Sequence, residues 1–326
     1  MLSRVAESLF WMARYIERAE NVSRFIAVNM HLTLDLASDA IQQWDPLIAT
    51  TGDQTIFYHK YGKSTQDNAI QFLIFDEDNA NSIKSCLIKA RENARGVRDV
   101  LTTEIWEQIN HLYLSITSET APLEAAQNVF QYCKKLRLET QLVKGLVDNT
   151  ISRTEAWHYL YLGRMLERAE KTVRILDVKY YILLPKVEHV GTPIDNIQWA
   201  AVLMSASALD MYHRQYRRFL PSSVAHFLLF NRDFPRSVLY CLTKSESSLC
   251  AISNTPIGTY SNEAERQLGR LRAQLEYADI NDIIQNGLHE FIRDLISNLN
   301  EIGNTIQDHF FSSQSLPTSS LKEIYA

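Results

Sequence analysis

Apolar side chains recur at helical spacing along most of this chain. On a wheel that takes Arg14 as zero, Trp11, Tyr15, Ala19, Val22 and Ile26 fall between roughly 60° and 140°, a stripe that must face a core. Arg14, Glu17, Arg18, Glu20, Asn21 and Arg24 share the other side of the same helix. The same periodicity predicts long helices at 3–37, 79–100, 102–118, 122–148, 153–183, 195–219, 234–252, 261–277 and 281–311, with shorter ones near 66–75 and 222–230. Asp233 before Phe234 and Pro235 gives the 234–252 helix a cap, with proline in the first turn where its missing N–H is harmless. Residues 312–320, SSQSLPTSS, read as the start of a loose tail over 312–326. The expected fold class is all-α.

The pattern is written twice. Setting Trp11 to Val28 against Tyr161 to Val178 without a gap gives seven identities in eighteen, where chance supplies on the order of one. The shared residues include Arg14 with Arg164, Glu17 with Glu167, Arg18 with Arg168, Glu20 with Glu170 and Arg24 with Arg174. Phe72 to Lys89 aligns in the same way with Phe227 to Lys244, and Gln43-Trp44 lies opposite Gln198-Trp199. The offset changes only from 150 to 155. We therefore expect a duplicated helical bundle, 1–150 and 151–311, with pseudo-twofold related halves. No Pro- or Gly-rich linker separates them, so they are expected to pack as one body.

Composition narrows the class further. With 46% hydrophobic residues the 326-residue chain can bury a large core, and only 10 Gly and 8 Pro leave few obligatory turns. The net charge of -5, with no basic stripe free of interleaved acids, argues against nucleic-acid binding. Arg214, Arg217 and Arg218, the most basic local patch, read as a solvated face. Cys86, Cys133, Cys241 and Cys250 show no metal or disulfide spacing and read as small apolar residues in a reducing compartment. Charges interrupt the first fifteen residues, which excludes a signal-peptide core, and no apolar run reaches the roughly 20 residues of a membrane span. A cytoplasmic protein that does not enter the membrane is expected.

The duplicated Arg-x-x-Glu-Arg-Ala-Glu motif is the candidate site. A run of solvated i,i+3 and i,i+4 pairs is the plainest reading of one such helix. Its repetition in both halves argues against that, because a wet face should drift in identity. Three constrained readings stay open: a buried Arg–Glu network between the two signature helices, a metal site of Glu17, Glu20, Glu167 and Glu170, and a seat for an anionic or zwitterionic ligand. Metal is disfavoured, since no Glu-x-x-His accompanies the motif and the adjacent arginines would oppose a cation. A second cluster, Arg91, Glu92, Arg95 and Arg98, sets three arginines at i, i+4 and i+7 and has no counterpart in the second half. No phosphate loop, nucleophile elbow, His-Glu-x-x-His or Cys–His arrangement is recognisable, and His158, His213, His226 and His289 read as surface or satisfied residues. No cofactor is expected.

The opening MLSRVAESLFWMARYIERAENVSRF, the stretch FLIFDEDNANSIKSCLIKARENARGVRDVLTTEIWEQIN, the segment EAWHYLYLGRMLERAEKTVRILDVKYYILLP and the late FPRSV and GLHEFI together resemble the bacterial alpha-E domain family. The likeness runs from residue 1 to about 311. Ala13 stands where the family usually has glycine, and Glu170 where it often has aspartate. The resemblance implies a helical protein whose genes lie beside circularly permuted ATP-grasp ligases, transglutaminase-like peptidases and sometimes Anbu-type peptidases. It carries Arg14, Glu17, Arg18, Glu20, Arg24, their second-copy equivalents Arg164, Glu167, Arg168, Glu170 and Arg174, and Arg91, Glu92, Arg95 and Arg98, as charge clusters without assigned catalytic roles. The leading expectation is an accessory or scaffold protein of a peptide-ligation system that binds the ligase or its substrate. Alternatives are an enzyme using paired glutamates on an amino-acid or peptide substrate, and a purely structural role for the charges.

Overall fold

The computed structural model describes residues 1–35, 44–181 and 192–312, and every regular element among them is helical. The first signature helix, α1 (Ser3–Asp35), is followed by α2 (Trp44–Thr51), α3 (Gln54–Tyr61) and α4 (Gln66–Ile70), the last running into a π-helical turn at Gln71–Phe75. Then come α5 (Ile83–Gly96), α6 (Thr103–Thr117), α7 (Ala121–Gln127) and α8 (Val129–Thr150). The second signature helix is α9 (Glu155–Tyr181), followed by α10 (Pro193–Ser205), α11 (Leu209–Gln215), α12 (Pro221–Phe230) and α13 (Val238–Ser253). α14 (Glu263–Glu276), α15 (Ile280–Asn286) and α16 (Leu288–Ile306) end the bundle, with a second π-helical turn at Gln307–Phe311.

α1 and α9 pack against each other at the centre. Around them α5 and α8 pack on α1, while α13 and α16 pack on α9. The short helices cross over: α2 touches α9 as well as α1, and α10 touches α1 as well as α9. Trp44 and Trp199, which open or sit within those two helices, are both buried. α1 and α9 approach closely at Gly163, where an added Cβ would lie 2.3 Å from the Phe10 carbonyl oxygen. Ala13 holds the aligned place in α1.

Several boundaries differ from the periodicity. The expected 122–148 helix breaks at Asn128, whose extended backbone (φ -159, ψ 90) lets its side chain cap α8 by accepting from the Gln131 amide. The 195–219 helix breaks at Ser207, which has φ 51, and the 281–311 helix at Gly287, whose φ of 108 suits only glycine. The cap expected at Asp233 is displaced: Asn231 Oδ1 accepts from the Asp233 and Phe234 amides in a turn, and Ser237 caps α13 through the Tyr240 amide. The aligned Ser82 caps α5 through Ser85 in the same way. α2 and α3 were not expected, being short and divided at Gly52. The ends of the 3–37 and 153–183 helices, and all of the expected tail except Ser312, lie outside the described residues.

Candidate functional site

The polar side of α1 does not face water. Glu17, Glu20, Asn21 and Arg24 are buried, as are Arg164, Glu167 and Glu170 on α9. A helical wheel sees one helix at a time, and here the polar stripe of each signature helix is covered by the other and by α5, α8, α13 or α16. Buried carboxylates need paired cations, and the two Glu-Arg dipeptides supply them to each other. Arg18 donates from Nε to Glu167 Oε1 (2.7 Å) and from Nη2 to Oε2 (2.9 Å). Arg168 donates from Nε to Glu17 Oε1 (2.9 Å) and from Nη2 to Oε2 (3.1 Å). Two parallel forks thus bolt α1 to α9, in the planar geometry that arginine alone provides.

Each carboxylate has further cations. Glu167 also takes Arg14 (2.8 Å) and Lys171 (3.6 Å), and Glu170 takes Arg14 (2.9 Å), Arg174 (2.9 Å) and Lys171 (3.8 Å). Glu17 also takes Lys144 (2.7 Å) and Arg236 (3.1 Å), and Glu20 takes Arg236 (2.7 Å), Lys144 and Arg24. Burial pushes the Glu17 carboxyl up, but Arg168 and Arg236 more than reverse this and hold it at about 2. Glu167 is opposed by burial in the same way and held well below the carboxylate range by Arg18, Arg14 and Lys171. Burial lowers Arg236 to about 10, Glu17 pulling it up while neighbouring Arg168 pushes it down.

Two clefts open beside this network. One, of about 680 Å³, is lined by Glu20, Lys144, Asp148, Arg153, Arg164, Arg168 and Arg236 with Trp157, Tyr161 and Tyr240. The other, of about 540 Å³, is lined by Glu7, Trp11, Arg14, Arg18, Glu170, Lys171 and Arg174 with the amides of Asn81, Asn300, Asn304 and Gln307. Five cations face two carboxylates in the first and four face two in the second, so both are positive in a chain of net charge -5. In each, an arginine lies over an aromatic ring of its own helix: Arg164 over Tyr161 at 4.7 Å and Arg14 over Trp11 at 5.1 Å. The metal reading finds no donor set. Three cations already contact each signature glutamate, and no cluster of His, Cys, Asp and Glu suited to a metal occurs among the described residues.

The second arginine cluster lies elsewhere and lines neither cleft. α5 ends at Gly96, so Arg98 stands beyond the helix and the expected common face is broken. Arg91 and Arg98 instead meet on Trp106 of α6, at 5.8 and 5.1 Å, and Arg91 also lies over Tyr113. Glu92 pairs with Arg91 and Arg95 at the surface. Lys144, Asp148, Lys171, Arg236 and Asn81 were not singled out from sequence. Arg236 could have been, since it occupies the FPRSV motif at the place aligned with Asn81; Lys144 and Asp148 carry no repeat signal at all.

The reciprocal pairing of two Glu-Arg dipeptides is the feature that matters for kinship. Residues 1–311 match the family described as a predicted alpha-helical domain with a conserved ER motif. The chain belongs to the Alpha-E family. In this Alpha-E chain both ER dipeptides, Glu17-Arg18 and Glu167-Arg168, are engaged with each other. Uncharacterized proteins of Mycobacterium bovis and Mycobacterium tuberculosis are 22% identical to it over 333 residues, covering 95% of the chain. The chain spans 37% of the length of these curated relatives. No solved structure matches it.

Proposed function

We propose that this Alpha-E protein is a non-catalytic partner in an ATP-grasp-type peptide-ligation or peptide-modification system, docking the ligase or its peptide substrate in a cationic cleft beside the ER network. The observation that carries the reading is the surplus of cations facing those clefts, beyond what the buried glutamates require. The resemblance to proteins encoded beside circularly permuted ATP-grasp ligases, and beside transglutaminase-like or Anbu-type peptidases, supplies the class of partner. Against the enzymatic alternative, a general acid or base works best with a pKa near the working pH, whereas Glu17 is held at about 2 and Glu167 well below the usual carboxylate range. The three cations held by each signature glutamate support an architectural role for the glutamates themselves, within two halves related by a pseudo-twofold axis between α1 and α9. Work in the cytoplasm belongs to the same reading, supported by four buried free cysteines and by the lack, among the described residues, of a helix able to cross a membrane. Affinity purification from the native host is the test: an ATP-grasp-type ligase should come down with the protein, and recovery of the protein alone would contradict the proposal.

A further inference from the structure

The two clefts are counterparts in sequence but not in chemistry. Trp11, Arg14 and Arg18 align with Tyr161, Arg164 and Arg168, and Asn300 and Gly303 on α16, with Gln307 in the π-helical turn that follows, repeat the spacing of Gln141, Lys144 and Asp148 on α8. In the cleft beside Glu167 and Glu170 the donors are engaged. Arg14 divides its guanidinium between Glu167 and Glu170, the Trp11 indole donates to Gln307 Oε1 (3.1 Å), and Gln307 Nε2 donates to Glu7 (2.7 Å). Gly303 leaves the room that lets Arg14 reach inward, with the Arg14 Nη1 only 3.5 Å from where its Cβ would stand.

Beside Glu17 and Glu20 the arrangement is reversed. Lys144 occupies the place of Gly303 and neutralises both glutamates, so Arg164 is not drawn in as Arg14 is. Arg164 turns its fork to Asp148 instead, at 3.0 and 3.1 Å. Two buried donors at this cleft, Arg164 Nε and Trp157 Nε1, have no hydrogen-bond partner. None of the side chains lining the other cleft has such an atom among the described residues. The acceptor beside them that lacks a hydrogen bond, Glu20 Oε2, is already ion-paired with the Lys144 ammonium, so the two donors call for an acceptor ligand. The mouth is built of groups that can move, since the Asp148 and Arg153 side chains are 38% and 54% exposed.

We propose that the cleft beside Glu17 and Glu20, and not its counterpart, binds an acidic peptide, with Asp148 holding on Arg164 the place that a carboxylate of the peptide takes. This deepens the proposed function by naming the cleft and the ligand chemistry, and rests on that reading for the choice of a peptide. The fork of Arg164 matches a planar carboxylate, and Arg153, lying over the Trp157 ring at 4.1 Å, stands ready as a second cation. Trp157 and Tyr161, stacked with centroids 4.5 Å apart, give the cleft an aromatic side against which the peptide chain can lie. At about 680 Å³ the cleft has room for several residues, beyond the need of a lone anion.

Fluorescence anisotropy of a labelled short oligoglutamate peptide, titrated with the full chain at low salt, tests the proposal. Asp148→Asn should tighten binding about fivefold by freeing the Arg164 fork, and Arg153→Gln should weaken it about tenfold. Asn304→Asp, which puts a negative charge into the other cleft, should leave binding within about twofold. Both cleft substitutions are at well-exposed side chains, and a thermal melt checks that the variants fold. Absence of peptide binding, weakening by Asn304→Asp without any response to Asp148→Asn, or displacement of the peptide by an equal concentration of inorganic phosphate would overturn it. Peptide binding with no ligase recovered from the host would contradict the partner reading and leave this site standing; recovery of the ligase with no peptide bound would do the reverse.

Discussion

Glu167 and Glu170 are neutralised by Arg14, Arg18, Lys171 and Arg174, whereas Glu17 and Glu20 are neutralised by Arg24, Lys144, Arg168 and Arg236. Only the ER arginines, Arg18 and Arg168, and the i,i+4 partners, Arg24 and Arg174, keep the same role in both sets. The other cations have been exchanged. Lys171 stands where the first half has Asn21, and Arg236 where the first half has Asn81. Two buried carboxylates require compensation in amount, and the element that delivers it is free to vary. What does not vary is the pair of forks crossing from one signature helix to the other, because bidentate geometry fixes both partners.

Removing either crossed glutamate is the most damaging way to test this comparison. Glu167→Gln and Glu17→Gln each remove a buried carboxylate contacted by three cations and leave the crossed fork of Arg18 or Arg168 without its partner; each should destabilise the fold by about 3–5 kcal/mol, read from urea unfolding. Acid should have the same effect. Both carboxyls have folded pKa values below the unfolded value, so their stabilisation is present above the ordinary 4.5 and is lost as pH falls toward about 2 for Glu17 and further for Glu167. Urea midpoints measured from pH 6 to 2 should therefore fall steeply, and a flat profile would mean the network adds nothing. A smaller loss, about 1–3 kcal/mol, is expected for Gly163→Ala, whose Cβ would force α1 and α9 apart at Phe10. Gly145→Ala on α8 meets nothing within 4 Å and should instead stabilise by up to about 1 kcal/mol.

Much of this was legible in the sequence, and what escaped did so for identifiable reasons. Helix class and the paired motifs follow from periodicity and repetition, which are properties of single segments. The burial of the polar stripe is legible only as one of three open readings, because the partners that decide it, Arg168, Lys144 and Arg236, come to Glu17 from α9, α8 and the loop before α13. The helix breaks at Asn128, Ser207 and Gly287 leave no mark in the periodicity, because the apolar period continues across each of them. The periodicity puts Arg98 on a helix that ends two residues earlier, at Gly96. The asymmetry of the two clefts rests on Lys144 standing in one where Gly303 stands in the other, a difference between helices whose sequences do not visibly align.

The crossed forks are the central claim, and a pair of double-mutant cycles measures them directly. Arg18→Gln with Glu167→Gln, and Arg168→Gln with Glu17→Gln, should each show a coupling above about 1 kcal/mol in urea unfolding, while the surface pair Glu92 and Arg95 should show less than about 0.5 kcal/mol. Additive effects at both crossed pairs would contradict the account.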